Sequence, residues 1–472
     1  MAKDWEIRGF LEVRDDQLYI DGVSTIGLAK RYGTPLFIFS ESRIRDNIAR
    51  MQKAQGVISC PLKICYAAKA MSTMAVLRVI KDAGIDVEVN SGGELWKALK
   101  IGFRGDQIIF NGTSKEIWEI ENAIKAGIYA IQVDSLYELA LIEKTAKKLK
   151  RKANVSLRLV PEIASGTHSG LQTALLTSKF GMMPDEVFEA FRTYKDSPHL
   201  DMCGIHLHVG SQNPDPQVYV EAFEKLYICL TCIHADTGKT LRHVNLGGGF
   251  PVNYLRDRAN ESDFPAEQRH LFEADFEPVE AIAAAWQDVT KVADVAGNFD
   301  TVKNITLLLE PGRSIVADAG ICLTTVRNAK IRPVPVTNEE PEGRDAWLLT
   351  DAGFNNLLSM ETYKWYYQLV SASRAGEKHN FAYKLAGPLC DGGDVYFDIE
   401  GQHRLPDHRS LPANLEPGEV LAFLNCGAYS LAQESQYNGR FRPPVILIRA
   451  NGKAELVRKR DDFDDLIATD VL

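Results

Sequence analysis

Short β-rich runs return along the first two thirds of the chain, each separated from the next by a helical stretch. They are KICYAAK (63–69), DVEVNS (86–91), IIFNG (108–112), AIQVDS (130–135), VSLRLVP (155–161), GIHLHVG (204–210), HVNLGGG (243–249) and TLLLEPG (306–312). Between them, segments such as SGGELWKALKIG and PDEVFEAFRTYK repeat apolar residues at intervals of three and four, as a helix lying on a sheet requires. Strands that alternate with helices join through right-handed crossovers into a parallel sheet, and eight such units close a (β/α)8 barrel. The alternative is an open doubly wound sheet. A dinucleotide fold places its glycine cluster after the first strand, however, and here Gly247-Gly248-Gly249 follows the seventh. The expected fold is therefore α/β, a TIM barrel over residues 41–315.

Beyond about residue 315 the texture changes to strand-like runs broken by Pro, Gly and Asp, as in ICLTTVRNAKIRPVPV, EVLAFLNCGAY and PPVILIRANGKAELVRK. This predicts a mainly β C-terminal domain over 316–472, which residues 1–40 (QLYIDG, TPLFIFS) join. Two charged, turn-rich stretches, 253–270 and 337–345, read as exposed loops. The chain's 472 residues suffice for both domains.

With 63 acidic and 54 basic residues the net charge is −9, which disfavours nucleic acid and anionic membrane surfaces as partners. The first thirty residues carry charges throughout, unlike a signal peptide, and no run approaches a membrane span, so the expected location is cytoplasmic. Eight scattered cysteines read as reduced thiols. The C-x-x-C pair Cys229 and Cys232 lies in an apolar helical segment with no second pair beside it, so no metal site is expected.

In a barrel the chemistry gathers at the carboxyl ends of the strands. The first strand ends in Lys69, whose amine, if buried, would be a nucleophile toward an aldehyde; a lysine at a strand end, taken alone, is far more often a surface residue. The sixth ends in His206, His208, Gly210, Ser211 and Gln212, and alternation sets both histidines on one face, suited either to a metal or to stacking on a flat ring. Gly247-Gly248-Gly249 can bring backbone amides up to a phosphate, or can be a plain turn. The eighth strand ends in Glu310-Pro311-Gly312-Arg313. Glu310 could hold a pyridine nitrogen protonated and Arg313 could grip a phosphate or carboxylate, unless the two simply pair with each other. In the β domain, GPLCDGGD (387–394) offers Cys390 as a proton source and Asp391 or Asp394 as partners of an amine, while Tyr429 and Tyr437 follow a strand.

Taken together, YAAK, SGGEL, HVGSQ, NLGGGF, EPGR, GPLCDGGD and GAY stand in one order from residue 66 to residue 429. That order resembles the alanine-racemase-fold (fold type III) pyridoxal-phosphate-dependent decarboxylases, the group of the diaminopimelate, ornithine and arginine decarboxylases. The resemblance implies pyridoxal phosphate as cofactor and a head-to-tail homodimer with active sites at the subunit boundary. By position, it makes Lys69 the lysine that carries the cofactor, Glu88 its acidic neighbour and His208 the ring stacked on the pyridine. Ser211, Gly248, Gly249, Gly312, Arg313 and Tyr429 become phosphate-side contacts and Glu310 the partner of the ring nitrogen. Cys390, delivered from the second subunit, becomes the proton donor. Arg313, Tyr363, Asp391, Asp394 and Tyr437 are the substrate-side candidates. Racemases of this fold place an arginine at the ring nitrogen, so Glu310 argues for decarboxylation.

Two departures bear on the substrate. Diaminopimelate decarboxylases resembling this chain have Cys-Glu-Ser where it reads Cys390-Asp391-Gly392, and an arginine, four residues before the tyrosine kept here as Tyr363, where it has Ser359. That arginine grips the substrate's distal carboxylate. The CDGGD turn is instead similar to ornithine and lysine decarboxylases, whereas THSGLQTALLTSKFG is similar to diaminopimelate decarboxylases. The whole pattern resembles a D-ornithine/D-lysine decarboxylase-like branch. The expected reaction is removal of the α-carboxylate from a basic diamino acid, or from its N-acyl or citryl derivative in siderophore or polyamine metabolism. The alternatives are diaminopimelate decarboxylation, racemisation, and an inactive cofactor-binding homologue.

Overall fold

The computed structural model describes residues 3–471 except 161, 165, 174, 176–177, 256–263 and 335–342. The chain forms two compact units, one of 45–251 with 274–315, the other of 1–44, 252–273 and 316–472.

In the first unit, eight strands close into a barrel: Leu62–Ala67, Asp86–Val89, Ile108–Phe110, Ala130–Val133, Ala153–Arg158, Leu200–His206, His243–Asn245 and Thr306–Leu309. Every neighbouring pair is parallel, and the eighth strand pairs with the first through Leu307 and Leu62. These are the eight runs expected from the sequence. Their near-continuous apolar character has its cause here, because a barrel strand is covered by side chains inside and by helices outside. The helix Met74–Asp82 buries Val76, Leu77, Val79 and Ile80, one stripe of its surface.

The turns that lead out of the strands are set by short polar motifs. Ser91 and Ser135 each accept a hydrogen bond from the backbone three residues on, at Glu94 and Glu138, and so start the helices Gly92–Ile101 and Leu136–Leu149. Glu138 has a second task. The buried ammonium of Lys115 donates to Gly112 O (2.6 Å), Gln132 O (2.8 Å) and Glu138 Oε1 (2.6 Å), which ties the loop after the third strand to the fourth strand and its helix. Burial pulls the Lys115 pKa below the usual lysine range despite the attraction of Glu138. Cys229 and Cys232 lie on the helix Gln217–Thr237, the first buried and the second exposed, both as free thiols.

The second unit is built on a mostly antiparallel sheet. Its strands run in the order Arg409–Leu411, Phe381–Ala386, Arg344–Thr350, Gly320–Pro333, Leu36–Ser40, Val445–Ile448, Ala454–Arg458, and Val420–Phe423 also pairs with the long strand at 320–333. The strand Leu36–Ser40 thus lies between two strands that come some 280 and 400 residues later in the chain. Residues 11–24 form a small three-stranded sheet in the same unit.

Two loop expectations change. The segment 252–273 belongs to this unit rather than to the barrel, and outside its undescribed residues 256–263 it is no exposed loop. Tyr254 and Phe272 are buried, with ring centroids 5.2 and 4.9 Å from that of Trp365. Phe264 packs edge-on against Tyr366 at 4.8 Å. Aromatic anchors at its ends outweigh the charge in its middle. Of the stretch 337–345, residues 337–342 lie outside the described residues, while Arg344 and Asp345 begin a strand in which Asp345 is buried against Lys384 and His408.

The Lys115–Glu138 pair generates a stability prediction. Glu138→Ala leaves a buried ammonium without its counter-charge and should lower the unfolding free energy read from denaturant titration by about 3 kcal/mol. Adding Lys115→Met, which removes the stranded charge, should restore most of that loss.

Candidate functional site

At the carboxyl end of the barrel, the closure of strand eight on strand one sets two predicted residues side by side in space. Ala67 N donates to Pro311 O (3.0 Å), so the turn Ala68–Ala70 that carries Lys69 lies against the turn Glu310–Arg313. Lys69 is exposed. The condition of burial attached to its nucleophile reading is not met, and its charge acts on Glu94, His206, His208 and Glu310, each of whose proton affinities it lowers.

Glu310 is buried in the barrel and is the centre of a polar cluster. Asn245 Nδ2 donates to its Oε1 (2.7 Å) and Asn111 Nδ2 to its Oε2 (3.0 Å). The same Asn111 nitrogen donates to Glu88 Oε1 (2.8 Å), and Glu88 Oε2 accepts from Asn90 Nδ2 (3.0 Å). Burial first, then the nearby Glu88 charge, push the Glu310 pKa up to about 7, opposed by the Asn245 hydrogen bond and by Lys69 and Arg158. His206 Nε2 lies 3.5 Å from Glu310 Oε2, yet burial and the Arg158 charge hold its ring neutral, so the contact is not an ion pair.

His208 stands at the rim, half-buried, with a pKa pulled well below the usual histidine range by burial and Lys69. Its Nδ1 accepts from Gly248 N (3.2 Å), which leaves the ring neutral and held by the glycine turn. That turn has no room for side chains. A Cβ at Gly248 would come 2.2 Å from Glu310 O, and one at Gly249 would come 2.1 Å from Gly210 O. Ser211 and Arg313 meet directly, Arg313 Nε donating to Ser211 Oγ (3.1 Å), and a Cβ at Gly312 would press on Ala67 and Ala70 at 3.1 Å. Lys69, Glu88, His208, Ser211, Gly248, Gly249, Glu310, Gly312 and Arg313 are thus gathered at one end of one barrel.

The second unit carries the other predicted residues. Cys390 is exposed, and its backbone amide is held by Asn438 Oδ1 (2.7 Å). Beside it, Asp391 accepts from Tyr437 Oη (3.1 Å), and the Tyr437 ring stacks on Phe354. Tyr429 takes a left-handed backbone (φ 56°), and its carbonyl accepts from Ser359 Oγ (3.3 Å), which also donates to Gln433 Oε1 (3.1 Å). Tyr363, half-buried, ends the short helix Ser359–Thr362. Asp394 does not fit the role of a substrate partner. It is buried, one carboxylate oxygen accepting from Phe354 N (2.9 Å) and the other from Leu389 N (2.8 Å), so it holds the glycine-rich turn together.

The sequence reading missed Asn111, Asn245, Glu94 and Arg158. The signal was present, since each of Asn111, Asn245 and Arg158 is a polar residue at the carboxyl end of an apolar strand. Among the described residues no group of three or more His, Cys, Asp or Glu could hold a metal, and no helix is long and apolar enough to cross a membrane.

An amine, a buried carboxylate, a neutral imidazole and a glycine turn next to serine and arginine form a donor set that fits pyridoxal phosphate, group by group. Comparison with known proteins agrees. Residues 41–317 match the family "Pyridoxal-dependent decarboxylase, pyridoxal binding domain". The diaminopimelate decarboxylase of Methanocaldococcus jannaschii is 32% identical over 468 residues, covering 98% of this chain and 97% of that protein. That of Bacillus subtilis is 32% identical over 459 residues, covering 96% and 95%. A crystal structure of the M. jannaschii enzyme superposes with TM-score 0.82 at 31% identity over 98% of both chains, and the enzyme is also known in complex with L-lysine. A lysine/ornithine decarboxylase from Vibrio vulnificus, at 22% identity and TM-score 0.69, shares the fold. These relatives do not single out the D-ornithine/D-lysine branch. With its family model matched over more than half its length and its relatives over nearly all of it, the chain belongs to the pyridoxal-dependent decarboxylases, carboxy-lyases that use pyridoxal phosphate on amino acids.

Proposed function

We propose that this chain removes the α-carboxylate of a diamino acid, and that the buried Glu310, clamped by Asn111 and Asn245 below Lys69, is the feature that commits it to this chemistry. Bound pyridoxal phosphate supplies an aldehyde for the amine and an electron-accepting ring. The chain's own residues do the rest. Lys69 provides the attachment amine and Glu310 holds a proton at the ring nitrogen. Glu88 stands as Lys69's acidic neighbour and His208 packs on the ring's face. Ser211, Gly248, Gly249, Gly312, Arg313 and Tyr429 bind the phosphate. Cys390 delivers the proton that replaces the lost carboxylate at Cα, and Asp391, Tyr363 and Tyr437 receive the substrate's far end.

Two readings of that far end have separate support. The whole-chain similarity to diaminopimelate decarboxylases favours diaminopimelate, and we take it first. One local observation favours a basic diamino acid of the ornithine or lysine type, of either configuration, with its distal amine free or acylated as in a citryl derivative. Ser359 stands where the family resemblance calls for a carboxylate-gripping arginine, and its hydroxyl is occupied by Tyr429 and Gln433. The charged residues that follow it closely in sequence, Glu361 and Lys364, pair with each other at 2.8 Å. A distal carboxylate left without a bidentate partner would lose its recognition.

The discriminating measurement is carbon-dioxide release from diaminopimelate, D- and L-ornithine, D- and L-lysine and citrylornithine. On the first reading, diaminopimelate has the highest kcat/KM of the panel. If ornithine, lysine or the citryl compound leads instead, the second reading holds, and Ser359→Arg should then raise turnover of diaminopimelate at least tenfold, by roughly the worth of one charge-assisted pair.

The roles of Lys69 and Cys390, and the homodimer with shared sites, are tested together. Lys69→Ala should abolish the visible band of the bound cofactor and all activity, while Cys390→Ala should keep the band and lose clean amine formation. If sites combine residues of two subunits, mixing the two inactive variants and allowing exchange should restore about a quarter of the wild-type activity, because only mixed dimers hold one intact site. No recovery after exchange would place both residues in the same subunit's site.

A further inference from the structure

Two asparagines to which the sequence reading gave no role, Asn111 and the Asn245 that opens NLGGGF, meet the carboxylate of Glu310 with one amide each. Asn245 is fully buried at the end of the seventh strand, and both ends of its amide are engaged: Oδ1 accepts from Gly247 N (2.8 Å) while Nδ2 donates to Glu310 Oε1 (2.7 Å). The glycine turn returns the contact, Gly247 O accepting from Glu310 N (2.7 Å). Asn245 therefore closes a short loop of hydrogen bonds between the turn before Gly248 and the strand end that carries Glu310. Asn111, buried at the end of the third strand, uses one nitrogen to donate to Glu310 Oε2 (3.0 Å) and Glu88 Oε1 (2.8 Å) at once. Two carboxylates that repel each other are held at one bridging amide.

The amide orientation at Asn245 follows from its partners, since the backbone N–H of Gly247 needs an acceptor and the carboxylate of Glu310 needs a donor. An aspartate in its place would keep the first contact and lose the second. The charged and titratable groups that face Glu310 come from four other strands: Lys69 from the first, Glu88 from the second, Arg158 from the fifth and His206 from the sixth. Each oxygen of Glu310 accepts a hydrogen bond from an asparagine.

We infer that Asn245 and Asn111 are positioning residues for the decarboxylation, their two amides fixing the direction of the Glu310 carboxylate, with Asn245 also linking the glycine turn to it. The chemical consequence is that the two donors favour the charged form of Glu310, the form that pairs with a protonated ring nitrogen, against the rise that burial and Glu88 impose. This inference rests on the reading of Glu310 as the partner of that nitrogen.

The test uses the holoenzyme and the variants Asn245→Ala, Asn245→Asp, Asn111→Ala and Glu310→Gln. It follows the spectrum of the bound cofactor and its dissociation constant from pH 5 to pH 9. Asn245→Asp is nearly isosteric and keeps the bond to Gly247 while replacing the donor toward Glu310 by a repelling carboxylate, so it keeps the test open, with the same direction of shift, should Asn245→Ala fail to fold. Each asparagine variant should weaken cofactor binding about tenfold at neutral pH and move the acid-side release of cofactor up by about one pH unit, with Asn111→Ala the larger because it frees both carboxylates. In Glu310→Gln that acid-side transition should vanish. Asparagine variants that match wild type within twofold and 0.2 unit, while Glu310→Gln removes the transition, would overturn the positioning role and leave the role of Glu310 standing. An unchanged transition in Glu310→Gln would overturn both.

Discussion

The pairing of the eighth barrel strand with the first is the constraint on which the site depends. Leu307 to Leu309 register with Leu62 to Ile64, and the two strands end in neighbouring turns that carry Glu310 and Lys69. Residues far apart in sequence meet there only because six intervening βα units have completed the circle. The parallel direction matters equally, since it sends all eight carboxyl ends to one face. Third, seventh and eighth strands then each contribute one side chain to a single cluster of Asn111, Asn245 and Glu310.

Burial sets the electrostatics of that cluster. A carboxylate taken from water is destabilised as an anion, and a second carboxylate nearby adds to the effect, which is why Glu310 sits near pH 7. The barrel opposes this with the amide donors of Asn111 and Asn245 and with the charges of Lys69 and Arg158, the Arg158 guanidinium being itself buried and packed 4.3 Å over the Phe180 ring. A direct salt bridge would have neutralised the carboxylate and withdrawn it from other partners. Amide donors orient it without cancelling its charge.

Much of the barrel was legible because its strands are apolar on both sides, a pattern that survives without knowledge of tertiary contacts, and its turns announce themselves in S-x-x-E and glycine signals at Ser91–Glu94 and Ser135–Glu138. The segment 252–273 was not legible. Its anchoring rings, Tyr254, Phe264 and Phe272, are dispersed among charged residues, and their partners at 365 and 366 are a hundred residues away. Site residues divide in the same manner. Lysine, histidine and glycine at strand ends stand out by type, whereas an asparagine there is as ordinary as a turn residue until its carboxylate partner is known. Asp394 erred in the other direction, because a carboxylate in a glycine-rich turn reads as a ligand group, and only its contacts with Phe354 N and Leu389 N reveal that the turn itself consumes it.

The same distinction bears on substrate choice. On the proposed reading, the barrel's cluster serves the α-carboxylate chemistry, and the departures from the family pattern, Ser359 and the Cys390-Asp391-Gly392 turn, bear on the far end. Ser359 cannot replace an arginine by rearrangement, since a hydroxyl engaged with a carbonyl and an amide oxygen has its one proton already committed. Lys364, the buried cation near it in sequence, is held by Glu361. Overall similarity is averaged over hundreds of positions that build the barrel and the sheet, while specificity for a distal carboxylate over an ammonium resides in one or two charges. The two kinds of evidence can therefore point to different substrates without conflict, the first averaged over the scaffold and the second confined to one end of the substrate.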